Sequence, residues 1–176
     1  QGIVLQIAAS KTHNLKNLID ACKPFGDSSL LLALDGLTDP QNLGAIIRSA
    51  EALGAQGLIL PQRRSAGLTG SVAKVAAGAL EHLPVARVVN LNRSLEKLKD
   101  EGYTVVGLAE EGPSTLSEIK FQGPLVVVVG SEDKGISLIT RRLCDQLVRI
   151  PLKGVTTSLN ASVATSIFLY EVARCR

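Results

Sequence analysis

Three short stretches of this 176-residue sequence gather glycine, hydroxyl, amide and charged side chains directly after apolar runs. In a parallel α/β sheet, such strand-end loops are where a ligand binds. The first, Asp35-Gly36-Leu37-Thr38-Asp39-Pro40-Gln41-Asn42-Leu43-Gly44, follows Leu34 and leads into a segment bearing Arg48. On one reading Asp39-Pro40 is a turn, Asn42 caps a helix and Arg48 is a solvated charge. On the other, the helical spacing of Leu43, Ile46, Ile47 and Ala50 leaves Arg48 off the apolar stripe and near the helix's opening turns, where a phosphate would be attracted. The second stretch, Gly130-Ser131-Glu132-Asp133-Lys134-Gly135, follows four consecutive valines. Its glycines either supply turn geometry or bring the polar Ser131, Glu132 and Asp133 to a ligand at the end of a buried strand. The third runs from Pro151-Leu152-Lys153-Gly154 through Thr156, Thr157, Ser158 and Asn160. Either Ser158 caps the last helix with Asn160 in its first turn, or Gly154 and the hydroxyl and amide groups around it wrap a small polar ligand.

Other chemistries find no support in the residues. The G-x-x-x-x-G spacing of the second stretch is followed by Ile136 where a nucleotide P-loop needs Lys and Ser or Thr, and no G-x-G-x-x-G occurs. No serine sits in a G-x-S-x-G elbow, and neither His13 nor His82 has a catalytic setting, which argues against a hydrolase. Cys22, Cys144 and Cys175 are odd in number and far apart, which fits a reducing compartment and gives no metal cluster. A net charge of +3 leaves a polyanionic partner open, and the local basic pairs Arg63-Arg64 and Arg141-Arg142, with Arg149 and Lys153 close to strand ends, favour phosphate contact. Aromatic residues make up only 3% of the chain, so base stacking on aromatic platforms is a poor expectation. No apolar run approaches the ~18 residues of a membrane span, and the expectation is a soluble, cytoplasmic protein.

The elements that must position these loops follow from periodicity. Short apolar runs at 30–34, 58–60, 85–89, 104–108, 125–129 and 147–150 read as buried strands, and helical spacing lies between most of them, as in Val72, Val75, Ala76 and Ala79, or Leu95 and Leu98. Alternating strands and helices predict an α/β fold, a mainly parallel sheet with helices on both faces. The last helix, expected from about Ser158 to Cys175, is apolar around most of its circumference and must be buried on more than one side, in the core or at a subunit interface. Residues 1–27 stand apart as a lead-in, with a strand-like run from Ile3 to Ile7 and an amphipathic pattern at Leu15, Leu18, Ile19 and Cys22, leaving 28–176 as the main domain. The sequence contains no methionine and begins at Gln1, the pattern expected of a fragment or a processed form.

Taken together, Asp39 through Ala50, Val129 through Gly135, and Ile150 through Gly154 with Ser158 through Ala164 resemble the three motifs of the SpoU/TrmH family, RNA ribose 2′-O-methyltransferases of the SPOUT superfamily. Arg63-Arg64-Ser65-Ala66, the 74–81 segment and Cys144-Asp145-Gln146-Leu147 are most similar to the bacterial branch that methylates a guanosine of 23S ribosomal RNA. The resemblance implies a C-terminal deep trefoil knot, a homodimer, and S-adenosylmethionine as methyl donor with no metal. It implies cofactor contacts at Gly130, Ser131, Ile150, Leu159 and Leu108, and a catalytic neighbourhood of Asn42, Arg48, Glu132, Ser158 and Asn160. Arg63, Arg64, Arg141 and Lys153 are the expected RNA contacts. It further implies a small RNA-binding domain before residues 1–27. One departure stands in the second motif, where Asp133 and Lys134 intervene before Gly135 and glycine more often follows the glutamate. The same chemistry on transfer RNA, or a non-catalytic RNA-binding or ribosome-assembly module of the same fold, are the competing expectations.

Overall fold

The computed structural model describes residues 12–176, so the run from Ile3 to Ile7 lies outside the described residues. Among the described residues eight strands form one sheet: β1 (Thr12–His13), β2 (Leu30–Asp35), β3 (Gly57–Pro61), β4 (Val85–Val88), β5 (Thr104–Leu108), β6 (Ser114–Thr115), β7 (Leu125–Gly130) and β8 (Gln146–Arg149). Their spatial order is β1-β4-β3-β2-β7-β5-β8-β6, and every neighbouring pair is parallel. All six expected strands are present within a residue or two. The two-residue strands β1 and β6 at the sheet edges were not expected.

Within the described residues six α-helices connect or flank the strands: α1 (Leu15–Cys22), α2 (Pro40–Ala52), α3 (Gly70–Ala76), α4 (Leu91–Asp100), α5 (Leu138–Leu143) and α6 (Ala161–Cys175). Side chains alternate across a strand, and β2 shows what that does here. Leu30, Leu32 and Leu34 point into a core with α2, α3 and α6, whereas Leu31 and Ala33 point into a second core with α1 and α4. Both faces of the sheet are therefore covered, which is why the central strands read as unbroken apolar runs. β7 is buried along its whole length between β2 and β5. β8 sits between β5 and β6, so a late strand occupies an interior place among earlier ones.

Helix starts differ from the sequence reading at two places. Asp39, not Asn42, caps α2; its carboxylate accepts the Gln41 amide at 2.8 Å and Pro40 takes the first helical position, where its missing N–H costs nothing. Arg48 consequently lies in the third turn of α2 and not in its opening turns. Asn160, not Ser158, caps α6, accepting the amides of Ser162 at 2.9 Å and Val163 at 3.3 Å. Ser158 is thereby left in the preceding loop. α6 buries Thr165, Phe168, Leu169 and Val172 and leaves Val163, Ile167 and Tyr170 exposed on the opposite side. Among the described residues, no helix is long and apolar enough to cross a membrane.

Candidate active site

The strand-end loops surround a cavity of about 1050 Å³ at the carboxyl ends of β7, β5 and β8. Its floor is the end of β7. Gly130 is opposite Asp35 of β2 in register, and the chain turns back on itself immediately afterwards. Ser131 and Gly135 exchange both backbone hydrogen bonds at 3.0 Å, the Ser131 hydroxyl accepts the Lys134 amide at 3.1 Å, and Gly135 closes the turn with φ +68°. A Cβ on Gly130 would come within 2.0 Å of the Gly135 carbonyl carbon, so the turn itself demands glycine there.

The turn is tied to the first loop through Glu132. Its carboxylate accepts the Asp39 amide at 3.0 Å, the Thr38 amide at 3.4 Å and the Asn42 side-chain amide at 3.5 Å. Burial raises the Glu132 pKa, but its own amide and those of Asp39 and Thr38, with Asn42, outweigh it and hold the carboxyl below its ordinary range. Asn42 is buried, as a residue inside the first turn of α2 whose side chain faces the loop junction. These contacts join the first and second stretches into one wall.

The other wall is built differently. Residues 151–160 are exposed throughout, and residues 151–159 exchange no hydrogen bond with any described residue. Leu159, Ile150 and Leu108 give this side an apolar lining, while Thr156, Thr157 and Ser158 add hydroxyls. Opposite them, Arg141 of α5 pairs with Glu111, whose carboxyl its own backbone amide and Arg141 hold below the usual range. Arg149 donates to the carbonyls of Gly112 at 2.7 Å and Pro113 at 3.1 Å, fixing the segment that follows β5.

Of the residues singled out in the sequence, Asn42, Glu132, Ser158, Asn160, Gly130, Ser131, Ile150, Leu159, Leu108 and Arg141 line this one cavity. Arg48, Arg63, Arg64 and Lys153 are exposed and lie outside its lining. Arg149, expected only as part of a basic surface near a strand end, lines it too, as do Glu110 and Glu111, to which the sequence reading gave no place. The two glutamates follow β5 after Ala109, so reading every strand end alike would have found them. Cys144 offers no nucleophile: burial pushes its thiol up to about 11. Among the described residues, no group of three or more His, Cys, Asp or Glu could hold a metal ion.

Known proteins are similar to this chain in sequence and in fold. A model of the SpoU rRNA Methylase family matches residues 29–170. An uncharacterized tRNA/rRNA methyltransferase of Synechocystis sp. is 53% identical over 176 residues, all of this chain and 46% of that protein. The 23S rRNA (guanosine-2′-O-)-methyltransferase RlmB of Burkholderia sp. is 46% identical over 177 residues, all of this chain and 70% of that protein. The crystal structure of the SpoU methyltransferase AviRb from Streptomyces viridochromogenes, in complex with AdoMet, superposes with a TM-score of 0.79 at 34% identity, over 84% of this chain and 60% of that one. The chain thus spans about half the length of the Synechocystis relative. The family match takes in all three strand-end loops and the strands β2 to β8 that carry them, and on that ground the chain belongs to the SpoU rRNA methylase family.

Proposed function

We propose that this chain is the catalytic unit of an S-adenosylmethionine-dependent RNA methyltransferase that methylates a ribose 2′-hydroxyl, with a guanosine of 23S ribosomal RNA as its target. The observation that carries this reading is the convergence of three loops on one cavity, of which one wall is closed on itself and the other, from 151 to 159, makes no hydrogen bond to any described residue.

The cavity fits the donor. A volume of about 1050 Å³ is of the size that takes a cofactor-sized ligand. Leu108, Ile150 and Leu159 provide an apolar bed for a flat base, and the backbone and hydroxyl groups of 154–158 provide hydrogen bonds for its polar parts. Bound there, S-adenosylmethionine would supply a sulfonium-activated methyl group. Asn42 and Glu132 hold the first and second loops together and so fix where that donor lies relative to α2. Ser158 and Asn160 shape the side of the cavity nearest α6.

Arg48 is assigned to the acceptor. A guanidinium stays protonated at neutral pH, so it grips a phosphate and stabilises the charge developing on the 2′-oxygen, and it is ill suited to take the proton itself. It is exposed and outside its own chain's cavity. A homodimer answers both facts: the face of α6 carrying Val163, Ile167 and Tyr170, exposed by 48%, 39% and 60%, would pack on a second copy, and Arg48 of the neighbouring α2 would be brought to a shared site. Arg63, Arg64, Arg141 and Lys153 would hold RNA through phosphates. The trefoil knot belongs to the same reading, with the C-terminal segment as the part that threads it, in a cytoplasmic enzyme.

Labelled methyl from S-adenosylmethionine should appear on a guanosine 2′-oxygen when the protein meets unmodified ribosomal RNA, and mass spectrometry of the digested RNA locates it. Transfer to transfer RNA alone would move the target, and no transfer to either would favour the non-catalytic module. Arg48→Ala should lower transfer by about 100-fold or more while cofactor affinity stays within about twofold. Sedimentation of Ile167→Asp should give monomer where the unaltered protein gives dimer.

A further inference from the structure

Two carboxylates cross between the first and second loops in opposite directions. Glu132 reaches from the second loop to the amides of Thr38 and Asp39 in the first. Asp35, the last residue of β2, reaches the other way and accepts the Ser137 amide at 2.8 Å. Asp35 and Gly130 are register partners at the ends of adjacent strands, so the two acceptors bracket the Ser131–Gly135 turn, one within it and one just beyond it.

Ser137 is also the N-cap of α5, and its hydroxyl makes no capping bond to the helix backbone. That hydroxyl is instead 2.8 Å from the Thr140 hydroxyl, and buried Thr140 donates to Asn92 of α4 at 2.8 Å. The start of α5 is thus held by Asp35 from β2 and by Asn92 from α4. Arg141, one turn further along, enters the cavity wall and pairs with Glu111. Asp35 does not line the cavity, so any influence it has on a ligand passes through these neighbours.

We infer that Asp35 is a positioning residue for the cofactor cavity: by fixing the Ser137 amide it sets the turn at 131–135 on one side and α5 with Arg141 on the other. A charge-assisted bond to a backbone amide is the strong kind, and it holds the connection between β7 and α5 at the end the Ser131–Gly135 turn does not reach. The inference rests on the reading that the cavity takes S-adenosylmethionine.

The test uses Asp35→Ala and Asp35→Asn, since the asparagine oxygen can still accept the Ser137 amide. Calorimetric titration with S-adenosylmethionine should show Asp35→Ala binding about tenfold more weakly, with KM for the donor raised alike and the saturated rate within about twofold of the unaltered enzyme. Asp35→Asn should recover most of that affinity. In the ligand-free proteins, hydrogen exchange should quicken at the Ser137 and Gly135 amides of Asp35→Ala and stay unchanged at Val127. Unaltered affinity in Asp35→Ala, equal losses in the two variants, or a fall in saturated rate with KM unchanged would overturn the inference. Should the unaltered protein fail to bind S-adenosylmethionine, the proposed function falls, while the exchange measurement still decides the matter for Asp35: unchanged exchange at Ser137 removes it.

Discussion

The two loops that face each other across the cavity are opposites. The segment after β7 satisfies itself: Ser131 and Gly135 exchange hydrogen bonds, Lys134 is bonded back to Ser131, and Glu132 and Asp35 tie its ends to the neighbouring loop. The segment after β8 has no such partners among the described residues from 151 to 159, and Val155 at its tip is fully exposed. A site built this way separates two jobs. The closed loop provides a surface whose shape is set before any ligand arrives, and the open loop provides donors and acceptors whose bonds are still to be made. The cost of ordering the open loop falls on binding, and that of forming the closed one on folding.

Substitutions can break that contrast. The largest effect is expected at Gly130, where a methyl group would overlap the Gly135 backbone. Gly130→Ala should destabilise the fold by about 3 kcal/mol in urea denaturation and abolish cofactor binding with it. A smaller effect is expected at Glu132. Its side chain is exposed, so solvent screening reduces what its bonds contribute, and Glu132→Gln should cost about 1 kcal/mol. Because the folded-state pKa of Glu132 lies below the ordinary carboxyl value, its contribution is present in full above about pH 4.3 and is lost as pH falls through the folded value. The stability difference between Glu132→Gln and the unaltered protein should therefore shrink on acidification. The smallest effect on stability is expected in the open loop. Thr156→Ala should leave the melting transition unchanged within about 0.5 kcal/mol and weaken S-adenosylmethionine binding by about 1 kcal/mol. Equal stability losses in the two loops would erase the distinction between them.

Most of the sheet was legible in the sequence, because a strand covered on both faces leaves a continuous apolar run, and six such runs are six of the eight strands. The two others, Thr12–His13 and Ser114–Thr115, are too short for a period to register. Helix starts were less legible where several capping types crowd together. Asp39 and Asn42 both qualify before α2, and only Pro40 at the first helical position distinguishes them. Ser158 and Asn160 compete in the same way before α6. The cavity lining was found where loops follow strands, but the reciprocal bonds of Asp35 and Glu132 depend on β2 and β7 lying side by side, and no local pattern announces that adjacency. Arg48 was legible as an exposed charge off the apolar stripe, and its distance from the cavity of its own chain was not.

The adjacency of β2 and β7 also fixes an order of events in time. Residues 30–35 pair with residues 125–130, so the middle of the sheet stays open until most of the chain has been synthesised. During that interval β2 and β3 can pair, but the inner edge of β2 keeps its backbone groups unpaired, and β6 waits beyond a slot that β8 fills later still. Pairings this far apart in sequence are slow to find, which makes the nascent chain, more than the finished one, the form most exposed to aggregation and most in need of a chaperone.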